Sequence, residues 1–235
     1  MAVADVAANL AVVRERIARA GGDVGRITVV AVTKGFGPEA VRDALAAGLV
    51  DVGENYAQQL RAKAVALAAP PAEPARGGGL ETEPRWHLLG RVQRNKVRSV
   101  AALVHLWQGV DRPTAGAEIA ARSPGAHVLV QVNLTGEPQK AGCRFEEAPG
   151  VAEELRDSGL DVCGLMGIGP AGPPEDARGG FRRLRELADR LGLGEVSMGM
   201  SDDLEVAVQE GSTMVRIGRA LFGPRPDPAR VQGLQ

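Results

Sequence analysis

Eight short apolar runs succeed one another from residue 27 onward, and each is followed by a stretch of helical or turn character. The runs lie at 27–33, 49–53, 86–89, 103–110, 127–134, 160–168, 195–198 and 213–218. The helical stretches lie at 38–47, 56–68, 92–101, 114–122, 146–157, 174–191 and 202–210, with a short last one. A strand, a helix and another strand in regular alternation build a parallel sheet with helices on its faces. The runs are near-continuous rather than alternating, as strands covered on both faces require. Eight such units predict an α/β fold, a single (β/α)8 TIM-type barrel without a second β-domain. The 235 residues suit one barrel domain over 1–235. An open doubly wound sheet would carry a GxGxxG turn after its first strand, and none follows residue 33. An amphipathic helix in the first twenty residues is an extra N-terminal element. Residues 70–84, rich in Pro and Gly, read as a mobile loop, and 224–235 as a C-terminal tail outside the core.

The 28 basic residues nearly cancel the 29 acidic ones, a net charge of -1. That balance argues against nucleic acid and acidic membrane surfaces as partners. RVQRNKVRS is basic but has no interleaved aromatic residues, so it reads as a solvated helix face. No signal peptide and no membrane-length apolar run is present, so a cytoplasmic monomer is expected. Cys143 and Cys163 sit in no CxxC or Cys/His ligand pattern. Two reduced thiols and no metal site are expected.

Reactive groups of such barrels gather at the C-terminal ends of the strands. The first run ends in Lys34, followed by Gly35 and Phe36. The plain alternative is a solvated loop lysine, but a partly desolvated lysine near other cations is a nucleophile for aldehydes. After the seventh run comes SMGMSDD, with Ser197, Met200 and Ser201. Ser201 is expected to N-cap a helix starting at 202, a feature equally of a plain cap and of an anion site. Asp202 and Asp203 must then turn away from a bound anion. The eighth run supplies Arg216, Gly218 and Arg219. His87 and Asn55 stand at the third and second runs, where each also reads as a core residue or a cap.

These residues stand in a recognisable order: AVTK at Lys34, VGEN at Asn55, WHLLGRVQRNK, VNLTGEPQKAG, GLMGI, SMGMSDD and STMVRIGRALFG. The chain resembles the pyridoxal phosphate homeostasis protein family over nearly all its length. It departs from the family pattern in the 70–84 segment and within WHLLGRV. The resemblance implies a barrel like the alanine racemase N-terminal domain, and an internal aldimine of pyridoxal 5'-phosphate on Lys34. It places Ser197, Ser201, Arg216 and Gly218 at the cofactor and its phosphate, and Asn55, His87 and Met200 around the ring. Whether Arg216 meets the pyridine nitrogen or the phosphate is open. The family role implied is cofactor homeostasis without catalytic residues, with pyridoxal-phosphate-dependent enzymes as recipients. The competing reading is an amino-acid racemase of low activity. Two-base racemisation needs a second base, and the only tyrosine is Tyr56.

Overall fold

The computed structural model describes residues 5–68, 82–137 and 139–225. The 70–84 loop falls largely outside these residues, as does the tail beyond Arg225. Eight parallel strands form a closed barrel in sequence order. They are β1 Thr28–Val32, β2 Asp51–Glu54, β3 Arg85–Leu88, β4 Val104–Val110, β5 His127–Val132, β6 Asp161–Gly167, β7 Glu195–Ser197 and β8 Met214–Ile217. Closure is made by β1 against β8, in register from Thr28↔Met214 to Ala31↔Ile217. The expected barrel is therefore the observed one.

Helices α2 Pro38–Ala46, α3 Ala57–Ala68, α4 Arg94–Val97, α5 Pro113–Arg122, α6 Ala148–Asp157, α7 Arg178–Arg190 and α8 Leu204–Gln209 follow the first seven strands in turn. The four-residue α9 Arg219–Phe222 follows β8. Proline at the first turns of α2, α5 and α6 fixes φ where a missing N–H costs nothing. The extra helix α1, Val6–Arg19, buries Val6, Leu10, Val13 and Ile17 along one stripe. It covers the seam where the barrel closes, packing with Val29, Ala31, Leu204, Val215 and Ile217. Asp5 caps it by accepting from the Ala8 N–H at 3.0 Å.

Three expected helices are shorter than their sequence pattern. The basic stretch 92–101 holds only α4, because the Val92 N–H bonds to the Gly109 carbonyl at 3.1 Å and keeps its start extended. The 174–191 helix opens as a 3-10 turn over Pro174–Ala177 before α7 begins. The helix expected from 202 begins at Leu204.

Two apolar layers result. The outer one lies between strands and helices and includes Trp107, Phe181, Leu155 and Leu184. The inner one is small, with Val30, Leu106, Leu129, Met166 and Met214 inside the barrel. The rest of the interior is polar: Asp51, His87, Gln108, Gln131, Ser197 and Arg216 are all buried. Among the described residues no helix is long and apolar enough to cross a membrane.

Candidate functional site

A cleft of about 300 Å³ opens at the C-terminal mouth of the barrel. Lys34, Asn55, Met200, Ser201, Arg216 and Gly218 all line it. Six of the eight residues expected at a common site are thus brought together. They come from the ends of β1, β2, β7 and β8, and closure of the barrel makes these neighbours in space.

Lys34 is half-buried, one residue past the Thr33 that continues β1. Burial lowers the pKa of its amine below the ordinary lysine value, and the positive fields of Arg225 and Arg216 push it further down. Glu54 opposes them more weakly. Gly35 follows at φ +80°, a left-handed turn that sends the chain away and leaves the amine facing the cleft. The backbone before Lys34 is held from behind. The Lys63 ammonium donates to the Thr33 carbonyl at 2.6 Å and pairs with the buried Glu54, which also accepts from the Thr33 hydroxyl at 2.6 Å.

Arg216 is almost wholly buried. One guanidinium nitrogen donates to the Ser197 hydroxyl at 2.7 Å and another to the Gly167 carbonyl at 2.8 Å. Burial pushes its pKa down to about 10, with Asp203 opposing. It remains a cation at neutral pH. The Ser197 hydroxyl in turn donates to Gln108 Oε1 at 2.7 Å. The Gln108 amide nitrogen lies 2.8 Å from His87 Nδ1, and His87 Nε2 lies 3.0 Å from Asp51. An Nδ1 that accepts from the amide leaves Nε2–H to donate to the carboxylate.

Two expectations change on this geometry. His87 does not border this cleft: it opens toward the opposite, N-terminal mouth, with Asp51 and Arg85. A histidine in mid-strand lies a layer below the strand end, and WHLLG gives no sign of its depth. Ser197 lies fully buried beneath Arg216 rather than in the cleft. The expected cap is corrected too. Ser201 does not cap α8. Its hydroxyl accepts from the Ala220 N–H at 3.2 Å, and its carbonyl accepts from Arg16 of α1 at 3.0 Å. The residue before α8 is Asp203, whose carboxylate accepts from the Met200 N–H at 2.6 Å. Asp203 thus turns away from the cleft, as expected of both aspartates, but Asp202 does not. Asp202 stays at the cleft edge, ion-paired with Arg219.

Arg91, Gln131, Arg219 and Arg225 also border the cleft. Arg91 lay in the basic stretch read as solvated, and Arg225 in the tail read as peripheral. Gln131 is the clearest omission. It is buried, its Oε1 has no partner among the described residues, and its nitrogen reaches only Ala141 O at 3.4 Å. An orphaned buried acceptor at the cleft wall suits a polar ligand within. Gly218 adds a close approach: a Cβ there would stand 3.2 Å from the Val32 carbonyl. A poised amine, an anchored cation, a hydroxyl and bare backbone on one cleft fit a small anionic aldehyde.

The family model described as "Alanine racemase, N-terminal domain" matches residues 2–226. A Pseudomonas aeruginosa protein named pyridoxal phosphate homeostasis protein is 40% identical over 231 residues, covering 95% of this chain and 94% of that one. A Bifidobacterium adolescentis structure described as an unknown protein is 34% identical, with TM-score 0.81, covering 93% and 94% of the two chains. PipY of Synechococcus elongatus, solved with PLP bound, is 29% identical, with TM-score 0.70, covering 90% of this chain and all of that one.

Proposed function

The chain belongs to the pyridoxal phosphate homeostasis protein family, and from that membership we propose that it binds pyridoxal 5'-phosphate at the C-terminal mouth of its barrel, with Lys34 as the capturing residue. When bound, the cofactor supplies an electrophilic aldehyde on a pyridine ring together with a phosphate dianion. The observation that carries the reading is that a lysine with a lowered pKa shares one cleft with Ser201, Gly218 and Arg219. A neutral amine attacks a carbonyl and an ammonium does not.

The chain's own groups divide between two ends of the cleft. Ser201 offers a hydroxyl, Gly218 an unobstructed backbone and Arg219 a guanidinium, which suit phosphate oxygens. Arg216, pinned inside the barrel by Ser197 and Gly167, suits the ring end. A fixed cation beside a pyridine nitrogen disfavours its protonation and so weakens electron withdrawal by the ring. That supports a holder rather than a fast enzyme. Asn55 and Met200 flank the ring, Gln131 offers its free oxygen, and His87 and Ser197 act from behind by orienting Arg216. The proposed role is a cytoplasmic monomer that keeps the cofactor available to enzymes depending on it.

The test is a titration with pyridoxal 5'-phosphate followed by borohydride reduction and peptide mapping. Saturable yellow absorbance and a pyridoxyl mass on the peptide holding Lys34 are expected. A label on Lys63, Lys96 or Lys140 instead, or no saturable binding, defeats the assignment.

A further inference from the structure

All three histidines of the sequence, His87, His105 and His127, meet at the N-terminal mouth, the end opposite the Lys34 cleft. Their rings form a row, with centroids 6.0 Å apart from His87 to His105 and 5.8 Å from His105 to His127. Cys163, Asp161 and Glu195 border the same pocket. We propose that His127, Asp161 and Cys163 form a binding site for a borderline divalent transition metal, Zn²⁺, at this mouth, with water or His105 in the fourth position.

The strand register explains why they converge. Asp161 and Cys163 stand two apart on β6, with Cys163 at the register shift that follows the Val128↔Val162 pair, where the extra residue turns its sulfur toward Asp161 and His127. His127 is the direct partner of Asp161 across the β5–β6 ladder. Its Nδ1 lies 2.7 Å from Asp161 Oδ2 and 3.6 Å from Cys163 Sγ, and that sulfur lies 3.5 Å from the same carboxylate oxygen. All three donor atoms lie within 4.8 Å of one another. Tetrahedral Zn²⁺ with bonds of about 2.0–2.3 Å spaces its N, O and S ligands roughly 3.3–3.6 Å apart. Two of the three edges already have that length. The third is shortened by the His127–Asp161 hydrogen bond, and a metal that replaces this shared proton opens it by roughly half an ångström.

The donor set selects the ion. One imidazole nitrogen, one carboxylate oxygen and one thiolate suit Zn²⁺, whereas Ca²⁺ and Mg²⁺ require oxygen ligands throughout. The pocket leaves Asp161 free of any Lys or Arg partner among the described residues, its one ion-pair partner being His127. Glu195 adds a second negative charge at the rim, where it accepts from the Thr213 hydroxyl at 2.7 Å. The ligands are partly exposed, so an ion reaches them from solvent. No metal was expected from sequence because the ligand spacing is 34 residues and then 2, which no local motif encodes; only the barrel register assembles it.

Co²⁺ is the spectroscopic probe, with Zn²⁺ as competitor, on the full chain loaded with pyridoxal 5'-phosphate. One equivalent should give tetrahedral visible bands and a thiolate charge-transfer band, both abolished by excess Zn²⁺. Cys163→Ser should lose the charge-transfer band and His127→Ala should weaken binding at least tenfold. Cys143→Ser should match the parent, and all variants should retain cofactor loading at Lys34. Independently of any variant, Zn²⁺ should slow alkylation of Cys163 in the parent protein. A cobalt spectrum without thiolate charge transfer, unaltered binding in the variants, or Zn²⁺-independent alkylation each overturns the proposal.

Discussion

Lys63 provides the sharpest test of how the cleft is supported. Lys63 is 5% exposed and Glu54 is fully buried. Their ion pair sits directly behind the peptide that leads into Lys34, and Glu54 Oε2 already lacks a partner among the described residues. Lys63→Met keeps the packing volume of the stem but leaves a carboxylate buried with only the Thr33 hydroxyl to satisfy it. It also strips the ammonium from the Thr33 carbonyl. Removing one member of a buried pair costs about 3–5 kcal/mol. A chain of this length unfolds with an entropy of about 0.5 kcal/mol per kelvin, so the melting temperature should fall by roughly 6–10 °C. The double variant Lys63→Met/Glu54→Leu removes both charges and should recover most of that loss. Urea and thermal unfolding of the apo forms measure both effects. The single variant should also bind pyridoxal 5'-phosphate more weakly, through the loosened approach to Lys34. A single variant within about 1 kcal/mol of the parent, or a double variant no better than the single, refutes the description of this pair as an ion pair whose members depend on each other.

Four further outcomes follow from the cleft. Ser201→Ala should weaken pyridoxal 5'-phosphate binding by about 10- to 150-fold, the worth of one charge-assisted hydrogen bond, and leave pyridoxal nearly unaffected; an unchanged ratio of the two affinities would remove Ser201 from the phosphate site. Lys34 has a folded pKa below its unfolded one, so the unfolded chain holds that proton more tightly and burial of this lysine destabilises the fold at neutral pH. Lys34→Met should therefore stabilise the apo protein at pH 7, with the gain fading as pH rises from the lowered folded value to the unfolded lysine value, and Arg225→Ala should move the pH midpoint of cofactor capture upward; a flat stability difference across pH, or a midpoint that stays put, contradicts the burial and charge causes. Incubation with L-alanine and chiral analysis should give D-alanine no faster than a Lys34→Ala control, and turnover on the order of 10 per second would mark an enzyme instead.

Fold and site differed in how far they could be read from the chain. Apolar runs covered on both faces announce parallel strands, and their number fixes barrel closure, so residues at strand ends were correctly grouped. Lys34, Asn55, Met200, Ser201, Arg216 and Gly218 stand at those ends, and the family resemblance singles them out from their neighbours there. Depth along a strand did not follow from it. His87 and Ser197 lie a layer or more below the mouth, because a side chain two residues earlier on a strand sits about 6.6 Å lower. Gln131 was passed over because an interior glutamine looks like any polar residue in an apolar run until its unpaired oxygen is located. Ser201 was misread because capping was argued from neighbours in sequence, while its hydroxyl is engaged nineteen residues away.

The interior polar thread explains why so much of this barrel is not filled with aliphatic residues. Arg216, Ser197, Gln108, His87 and Asp51 are bonded in series from the C-terminal mouth to the N-terminal one. A buried guanidinium left to itself is costly, and in a purely apolar interior it would swing toward solvent or lose its charge. With a hydroxyl and a carbonyl fixed at 2.7 and 2.8 Å, Arg216 is held in place before any ligand arrives. The hydroxyl is itself oriented by an amide, the amide by an imidazole, and the imidazole by a carboxylate that Arg85 also contacts. Hydrogen bonding from His87 and Arg85 outweighs burial and lowers the Asp51 pKa, which keeps the far end of the thread anionic. Each link thus sets a donor against an acceptor, and the thread favours one arrangement of the cleft floor over its alternatives. The same row of residues brings a histidine-rich, acidic surface to the far mouth, where the ligands of the proposed Zn²⁺ site lie.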